Sequence, residues 1–204
     1  MTTRPDVSAP AGAVRSGRGR RPAAEVRESV LAAASALLFE SGLAAVTFEK
    51  VAARAGASKM TLYKWWPTPG SLALDAYFHA VEGTLAFPDT GDVEADVRTQ
   101  LRAFVGLVTG DASPVITGLI GAAQSDSVLA VAFAENYTRP RRLLAVERLG
   151  RAQRAGEIRA DVDLEVVVDQ LWGACYHRLL LPDQPLNRAF ADALVDTLWR
   201  GLRP

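Results

Sequence analysis

Cysteine and histidine are scarce in this sequence, and their scarcity excludes two common kinds of site. The 204 residues contain 1 cysteine, Cys175, and 2 histidines, His79 and His177. A single cysteine cannot form a disulfide within the chain, and with two distant histidines it does not supply a zinc ligand set. We therefore expect no disulfide, no metal and no cofactor, and the cysteine usage fits a reducing cytoplasm.

Long apolar runs are also missing. No stretch reaches the roughly 18 apolar residues that a membrane-spanning helix needs. The N-terminal stretch MTTRPDVSAPAGAVRSGRGRRP lacks the apolar segment of a secretory signal. The sequence therefore predicts a cytoplasmic protein without a membrane partner.

The familiar local signatures of enzymes are absent as well. The sequence contains no GxSxG nucleophile elbow, no P-loop and no glycine-rich dinucleotide fingerprint. We expect that the protein is not an enzyme. Catalytic groups can still converge in space from distant positions, so a helical enzyme remains an open alternative.

The charge balance conceals an asymmetry between the two parts of the chain. The formal net charge is +0, but residues 1–65 carry 10 Lys or Arg against 5 Asp or Glu. Residues 66–204 carry the remaining 13 basic and 18 acidic residues. A basic front and an acidic back indicate one part that meets a polyanion and one that does not.

Apolar residues recur mainly at helical spacing, which predicts an all-α protein. Pro22, Gly42, Gly56 and Pro67 mark helix starts and stops in the first third. In the region after residue 126, we expect a kink at Pro140. The predicted helices, about nine in number, cover residues 22–41, 48–55, 59–65, 71–85, 93–108, 115–124, 127–155, 163–181 and 186–201.

The first 21 residues are predicted to form a flexible basic arm, because they are rich in Pro, Gly, Ala and Ser. The arm ends in four arginines, Arg15, Arg18, Arg20 and Arg21, and the last three are the candidate DNA contacts. Two interpretations stay open: a solubilising tail, or an arm that follows phosphates or enters a minor groove.

Residues 51–66, VAARAGASKMTLYKWW, predict a tight turn between two helices. Gly56 suits the positive φ with which a chain leaves a helix, and Thr47 and Ser58 suit N-caps. Helix, glycine turn and short helix, preceded by a supporting helix, is the order of a helix-turn-helix unit. An ordinary amphipathic hairpin is the alternative.

Within the short helix, Leu62 and Trp66 lie four residues apart and are predicted to pin it to the core. Lys59, Thr61, Tyr63 and Lys64 then face outward, where hydroxyl and ammonium groups can contact phosphates and base edges.

Taken together, these residues resemble the TetR family of bacterial transcription regulators. The resemblance covers residues 26–78 and includes Gly42, Thr47, the turn AARAGAS and the short helix TLYKWW. The stretch RAGEIRADVDLEVVVDQLWGACYHRLLL, followed by an amphipathic helix, resembles the C-terminal ligand-binding and dimerisation domain of TetR-like proteins.

The resemblance implies a homodimer that binds double-stranded DNA at a palindromic operator, and a small-molecule effector that releases the DNA. By position, it assigns the DNA contacts to Thr47, Ser58, Met60, Thr61, Tyr63 and Lys64. The sequence departs from the family pattern at Met60, at the two tryptophans, and at 68–70, where a phosphate-binding lysine is often found. Backbone N–H groups at this helix start or the arginine arm can compensate.

The acidic back half should hold the effector between helices, where apolar pockets with a few polar groups form. Each candidate side chain has plain core packing as its alternative. His177 either contacts the ligand or has only a structural role. Cys175 either packs in the core or acts as a redox sensor. The candidate ligand-binding residues are Tyr77, Phe104, Ile120, Phe133, Tyr137, Trp172 and Tyr176.

The last two predicted helices are apolar on several sides, which indicates burial on more than one side. Two such helices at the end of a chain suggest a four-helix interface between two copies. Packing within one subunit is the alternative. The candidate interface residues are Val168, Leu171, Cys175, Phe190, Leu194, Leu198 and Trp199.

The combined prediction is a TetR-like, all-α regulator located with the nucleoid. Its expected parts are a basic arm at 1–21, a helix-turn-helix DNA-binding domain at 22–67 and a ligand-binding and dimerisation domain at 68–204. We expect a repressor; activation and architectural DNA binding without a ligand remain alternatives.

Overall fold

The computed structural model describes residues 21–85, 87–110 and 113–204. Within these ranges the chain is helical and contains no β-strand, as the periodicity predicted. No single helix in the described part is long and apolar enough to cross a membrane; one bent pair, Val93–Thr109 with Ser113–Ala123, passes only by length and composition.

Three helices form the N-terminal unit. They are α1 at Ala23–Ser41, α2 at Phe48–Ala55 and α3 at Lys59–Trp65. α1 ends at Gly42, which has φ 79°, and the 3₁₀ turn Leu43–Ala45 leads to α2. α1 packs against α2, and α2 packs against α3. These bounds match the predicted segments closely because caps and glycines mark each end.

The fourth helix, α4 at Pro69–Val81, begins two residues before the predicted start at 71. Thr68 and Ser71 form a reciprocal capping box, and Pro69 occupies the first turn, where its missing N–H has no cost. The segment Glu82–Leu85 then continues as a 3₁₀ helix. α4 packs against α1 and against the N-terminal part of the seventh helix, so it joins the two halves of the chain.

The acidic half contains α5 at Val93–Thr109, α6 at Ser113–Ala123 and three further helices. Asp92 caps α5, whose buried face includes Val97, Leu101 and Phe104. α9, at Arg188–Leu202, starts later than predicted because Asn187 accepts a hydrogen bond from the Phe190 N–H and caps it. α9 packs along α5 in the same subunit.

Two long helices each contain a π-helical turn. α7 comprises Ser127–Phe133, the π turn Ala134–Thr138 and Arg139–Arg154. The irregularity lies just before Pro140, where a kink was predicted. Proline cannot donate to the carbonyl four residues earlier, and its ring crowds that carbonyl, so the preceding turn widens.

α8 comprises Leu164–Val168, the π turn Asp169–Gly173 and Ala174–Leu180, with Asp163 as its cap. The sequence did not predict this second π turn. Counted as continuous helices, the described residues form nine, as expected. π turns are rare and often mark functional positions, and both of these contribute residues to one cavity among α5, α7 and α8.

Candidate DNA-binding surface and internal cavity

The turn between α2 and α3 depends on Gly56. Its φ of 60° and ψ of 38° are left-handed values that glycine adopts with little strain. The Ala57 N–H donates to the Ala52 carbonyl at 3.0 Å, which closes the end of α2. Ser58 then accepts a hydrogen bond from the Thr61 N–H at 3.1 Å and starts α3. The predicted turn and its two caps, Thr47 and Ser58, are therefore present.

Two side chains anchor α3 in the core as predicted. Leu62 and Trp66 are buried. The Trp66 indole Nε1 also donates to Asp75 Oδ2 on α4 at 2.9 Å. Tyr63 packs edge-on against Phe48, with ring centroids 4.6 Å apart. A helix of two turns is unstable alone, so these contacts hold its orientation.

The opposite face of α3 lies open to solvent. Met60 is 78% exposed and Tyr63 is 56% exposed. Thr47 and Thr61 are half-buried beside this face. The exposed members of the predicted DNA-contact set are Ser58, Lys59, Met60, Tyr63 and Lys64.

Lys59 is held back toward α2 rather than extended. Its Nζ lies 2.7 Å from Glu49 Oε1, and this hydrogen bond raises the pKa of the lysine above its usual range. The Ser58 and Thr61 hydroxyls lie 2.9 Å apart and satisfy each other. The Glu49 carboxylate therefore competes with phosphate for the Lys59 ammonium group.

Arg21 lies against the glycine turn. Its Nη2 donates to the Gly56 carbonyl at 2.8 Å and to the Ala55 carbonyl at 3.3 Å. A cation at the C-terminal end of α2 is favoured by the helix dipole and satisfies carbonyls that lack partners in the helix. Arg18 and Arg20 lie outside the described residues, so their predicted role stays untested.

The start of α4 offers few donors to a phosphate. The Ser71 N–H donates to Thr68 Oγ1 at 3.1 Å, and the Thr68 N–H donates to Ser71 Oγ at 3.2 Å. Pro69 has no N–H. In the described chain, this leaves Gly70 to supply the N–H of the first turn, a weak replacement for the lysine that the family pattern often has here.

A cavity of about 280 Å³ lies in the acidic half among α5, α7 and α8. Both π turns contribute to its wall, Tyr137 and Thr138 from α7, and Asp169 and Trp172 from α8. The full lining is Phe87, Gln100, Phe104, Tyr137, Thr138, Arg141, Arg142, Leu144, Ala145, Val168, Asp169, Trp172, Gly173 and Tyr176.

Four predicted ligand-binding residues therefore share this wall: Phe104, Tyr137, Trp172 and Tyr176. The other three lie elsewhere. Tyr77 is buried but does not line the cavity, and its ring lies 6.1 Å from that of Phe39 on α1. Phe133 packs on Phe78 with ring centroids 5.6 Å apart, and Ile120 packs against the core from α6. Helical periodicity identified all three as inward-facing but cannot separate core from cavity wall.

Burial dominates the electrostatics of the wall. It raises the pKa values of the Tyr137 and Tyr176 phenols, which hydrogen-bond to each other, so both stay protonated. Burial likewise lowers the pKa of the neighbouring Arg141 guanidinium. Arg142 donates to Asp169 Oδ1 at 2.8 Å and lies 3.0 Å from Glu165 Oε2, which ties α7 to the second π turn.

Family models match both halves of the chain. Residues 87–198 match the tetracyclin repressor-like C-terminal domain, and residues 30–74 match the bacterial regulatory proteins of the tetR family. The first of these covers more than half of the sequence. The chain belongs to the TetR family.

Individual TetR-family proteins agree with this assignment. The chain is 34% identical to the uncharacterized HTH-type transcriptional regulator YdeS of Bacillus subtilis, over 93% of this chain and 96% of that protein. It is 32% identical to the DNA-binding transcriptional repressor TetR of Mycobacteroides abscessus, over 82% of this chain and 88% of that protein.

Solved structures give the same result. The crystal structure of TetR family transcription regulator SCO0332 superposes with a TM-score of 0.80 and 57% identity, covering 88% of this chain and 100% of that chain. The protein is therefore a TetR-family transcriptional regulator and not an enzyme, which confirms both predictions and removes the enzyme alternative.

Gln100 is one of several cavity residues of this TetR-family protein that the sequence pattern did not identify. Gln100 on α5 is buried, and among the described residues its Oε1 has no hydrogen-bond partner. The sequence contains a signal for this residue, because Gln100 lies three residues after Val97 and four before Phe104, on the apolar face of α5. A polar residue on an apolar stripe is informative.

The predicted dimer residues divide into two groups. Val168, Leu171, Cys175 and Trp199 are buried inside the subunit and present little surface to a second copy. Phe190, Leu194 and Leu198 are partly exposed and form a stripe along α9. Arg178 of α8 lies over the Phe190 ring, 3.7 Å from its centroid. The interface itself stays a prediction, and the stripe is its best-placed part.

Asp75 on α4 joins the two halves of the TetR-family fold. Its Oδ2 accepts from Trp66 Nε1 at 2.9 Å and from Arg27 Nη2 at 3.2 Å. Its Oδ1 accepts from Asn136 Nδ2 at 3.1 Å, and Asn136 belongs to the π turn of α7. The next residue, Tyr137, lines the cavity and stacks on Phe78 of α4 at 3.9 Å.

Proposed function

We propose that this TetR-family regulator is a homodimeric repressor that binds a palindromic operator and releases it when a small molecule enters the cavity among α5, α7 and α8. The helix-turn-helix residues would contact DNA, with residues 22–67 as the DNA-binding domain and 68–204 as the effector and dimerisation domain. Such a protein works in the cytoplasm, on the nucleoid.

One observation carries the proposal of ligand response. A single carboxylate, Asp75, accepts hydrogen bonds both from Trp66 at the end of α3 and from Asn136 beside the cavity. A ligand that displaces Tyr137 would move the π turn and with it Asn136. The position of α3 and the occupancy of the cavity are then linked through one side chain.

Release requires that the ligand bind the DNA-binding conformation and the released conformation of the protein with different affinities. In the DNA-bound state, two α3 helices must lie about 34 Å apart to enter successive major grooves. A shift of α4 changes this separation. Structures with and without ligand that have the same α3 separation would contradict the mechanism.

DNA binding can be tested with the full-length protein and duplexes from the region upstream of its own gene. Fluorescence anisotropy should detect a complex whose affinity falls steeply with salt, because Lys and Arg side chains displace counterions from phosphates. Sedimentation should give two subunits per palindromic duplex. Equal affinity for a scrambled duplex would instead favour the architectural alternative.

Dimerisation is supported by the apolar stripe of Phe190, Leu194 and Leu198 on α9. Within one subunit these three side chains stay partly exposed, although the other face of α9 is buried against α5. Two copies that pair α8 and α9 would cover it and complete a four-helix interface. Such an interface also fixes the separation of the two α3 helices.

A further inference from the structure

The cavity contains a buried hydrogen-bond acceptor without a partner. Gln100 is 3% exposed and lines the cavity, and no group in the described residues donates to its Oε1. Buried polar side chains are almost always paired, because an unpaired one loses its hydration without compensation. An acceptor left open on a cavity wall points to a ligand that supplies the missing donor.

Aromatic rings form much of the surrounding wall. Phe104 and Tyr176 meet edge to face with centroids 5.3 Å apart, and Phe87 lies 6.4 Å from Trp172 at a tilt of 48°. Rings prefer offset-stacked or edge-to-face partners. A flat aromatic ligand can make such contacts with several of these rings at once, whereas a flexible aliphatic chain would lose conformational freedom and could not stack on the rings.

The volume limits the size of the ligand. The cavity measures about 280 Å³, and an apolar protein cavity of about 150 Å³ accepts benzene. One or two fused rings with small substituents fit this space. Two charged wall groups already have partners, because Arg142 pairs with the wall residue Asp169 and with Glu165.

We infer that the effector is a planar aromatic molecule of one or two rings, with a hydroxyl or N–H group that donates to Gln100 Oε1. This inference rests on the proposed function, because it names the ligand class of the same cavity. Gln100 fixes the orientation of the molecule, and the rings of Phe104, Trp172 and Tyr176 hold its faces and edges.

Calorimetric titration of the full-length, DNA-free protein tests the inference with three probes. The probes are 1-naphthol, which carries a donor, 1-methoxynaphthalene, which has the same rings without a donor, and decanoate, which is aliphatic. We expect 1-naphthol to bind at one site per subunit and at least about tenfold more tightly than 1-methoxynaphthalene. Decanoate should bind more weakly than both.

The variant Gln100→Leu should abolish the preference. Its affinity for 1-naphthol should fall about tenfold, while its affinity for 1-methoxynaphthalene stays the same or rises. The matched control is Gln184→Leu, at an exposed position in the connection between α8 and α9, which should leave all three affinities unchanged. If Gln100→Leu does not fold, Trp172→Ala replaces it and should weaken both naphthalene probes at least tenfold.

Three results overturn the inference: equal binding of the two naphthalenes to the natural protein, tighter binding of decanoate than of 1-naphthol, or no binding of any probe. Adding 1-naphthol to the protein–DNA complex separates this question from the proposed function. Donor-dependent binding without loss of DNA would sustain the ligand class and contradict the release mechanism. DNA release by decanoate but not by 1-naphthol would sustain the release mechanism and contradict the ligand class.

Discussion

The side-chain amide of Asn136 donates to the carboxylate of Asp75 across 3.1 Å, and these two residues are 61 positions apart in the chain. Asn136 lies in a π turn of α7, and Asp75 lies in the middle of α4. The bond therefore connects the cavity region to the helix that carries the DNA-binding unit. Its importance comes from the second role of Asp75, which also accepts from Trp66 and Arg27.

Replacing Asp75 should destabilise the protein and disturb α3. Asp75→Ala leaves the buried Trp66 indole N–H without an acceptor, which should lower the free energy of unfolding by about 1–3 kcal/mol. Urea denaturation measures this change, and operator affinity should fall with it. Asp183→Ala, at an exposed position in the α8–α9 connection, is the control. Unchanged stability in Asp75→Ala would remove Asp75 from the proposed link.

Lys64→Ala should weaken DNA binding to all sequences alike. Lys64 is exposed on the open face of α3, where its ammonium group is available to a phosphate. If it contacts a phosphate, the plot of log affinity against log salt should flatten by about 1 unit. Arg154→Ala, an exposed change in the acidic half, should leave the slope unaltered. An unaltered slope in Lys64→Ala would argue against the phosphate contact.

Leu194→Glu should yield folded monomers that bind the operator poorly. Leu194 is partly exposed in the middle of the α9 stripe, so a carboxylate is tolerated in the single subunit but not in an apolar interface. Sedimentation velocity and circular dichroism measure assembly and folding separately. Val131→Glu, at an exposed apolar position on α7, should remain dimeric. A dimeric Leu194→Glu protein would place the interface elsewhere.

Trp199→Glu is a poorer test of the same interface. Trp199 is only 4% exposed within the subunit, so a buried carboxylate there should unfold the protein whether or not it dimerises.

The buried pair of Asp96 and Arg148 should make stability sensitive to acid. Arg148 Nη2 lies 2.6 Å from Asp96 Oδ2, and Thr90 donates to the same carboxylate. Burial alone would raise the pKa of Asp96, but the hydrogen bonds from Thr90 and Arg148 outweigh it and keep the pKa below its usual value. The carboxylate therefore stabilises the fold fully above its unfolded pKa of about 3.9.

This contribution should disappear as the pH falls below about 4 and through the folded pKa. Asp96→Asn should lower the free energy of unfolding by about 3 kcal/mol at neutral pH, because Arg148 loses its closest buried partner. Its stability should then depend less on acid than that of the natural protein. Urea denaturation from pH 7 to 2 measures both effects, with Asp183→Asn as the control. Parallel pH curves for the natural and Asp96→Asn proteins would contradict the assignment.

Cys175 should be inert in the folded protein. It is 0% exposed, and burial raises the pKa of its thiol to about 12, so almost no thiolate exists at neutral pH. An aromatic disulfide reagent at pH 8 should react only after denaturant is added. Rapid labelling of the native protein would revive the redox-sensor alternative for this residue.

Local sequence signals were sufficient for the N-terminal unit. Thr47, Gly56 and Ser58 each have a residue-specific role in capping or turning the chain, and the structure uses each as predicted. Leu62 and Trp66 were found from their spacing alone. The caps and the turn depend on contacts between residues close in sequence, so they can be predicted without knowledge of the tertiary fold.

The cavity could be predicted only in part. Phe104, Tyr137, Trp172 and Tyr176 were recognised as inward-facing, but Tyr77 was recognised by the same pattern and lies outside the wall. A periodic pattern gives the face on which a residue lies, not whether the opposite helix fills the space in front of it. The π turns raise the same difficulty. A π turn is wider than an α-helical turn, so the residues after it point in a different direction from the one that regular helical spacing predicts.

The sequence by itself determined the helical class, the glycine turn, the caps of α2 and α3 and the membership of the TetR family, since each depends on residue type at short spacing. Only the tertiary structure decided that Gln100 faces an open cavity, that Lys59 is held by Glu49, and that Asp75 joins Trp66 to Asn136. These relationships depend on how distant helices pack, which residue order alone does not specify.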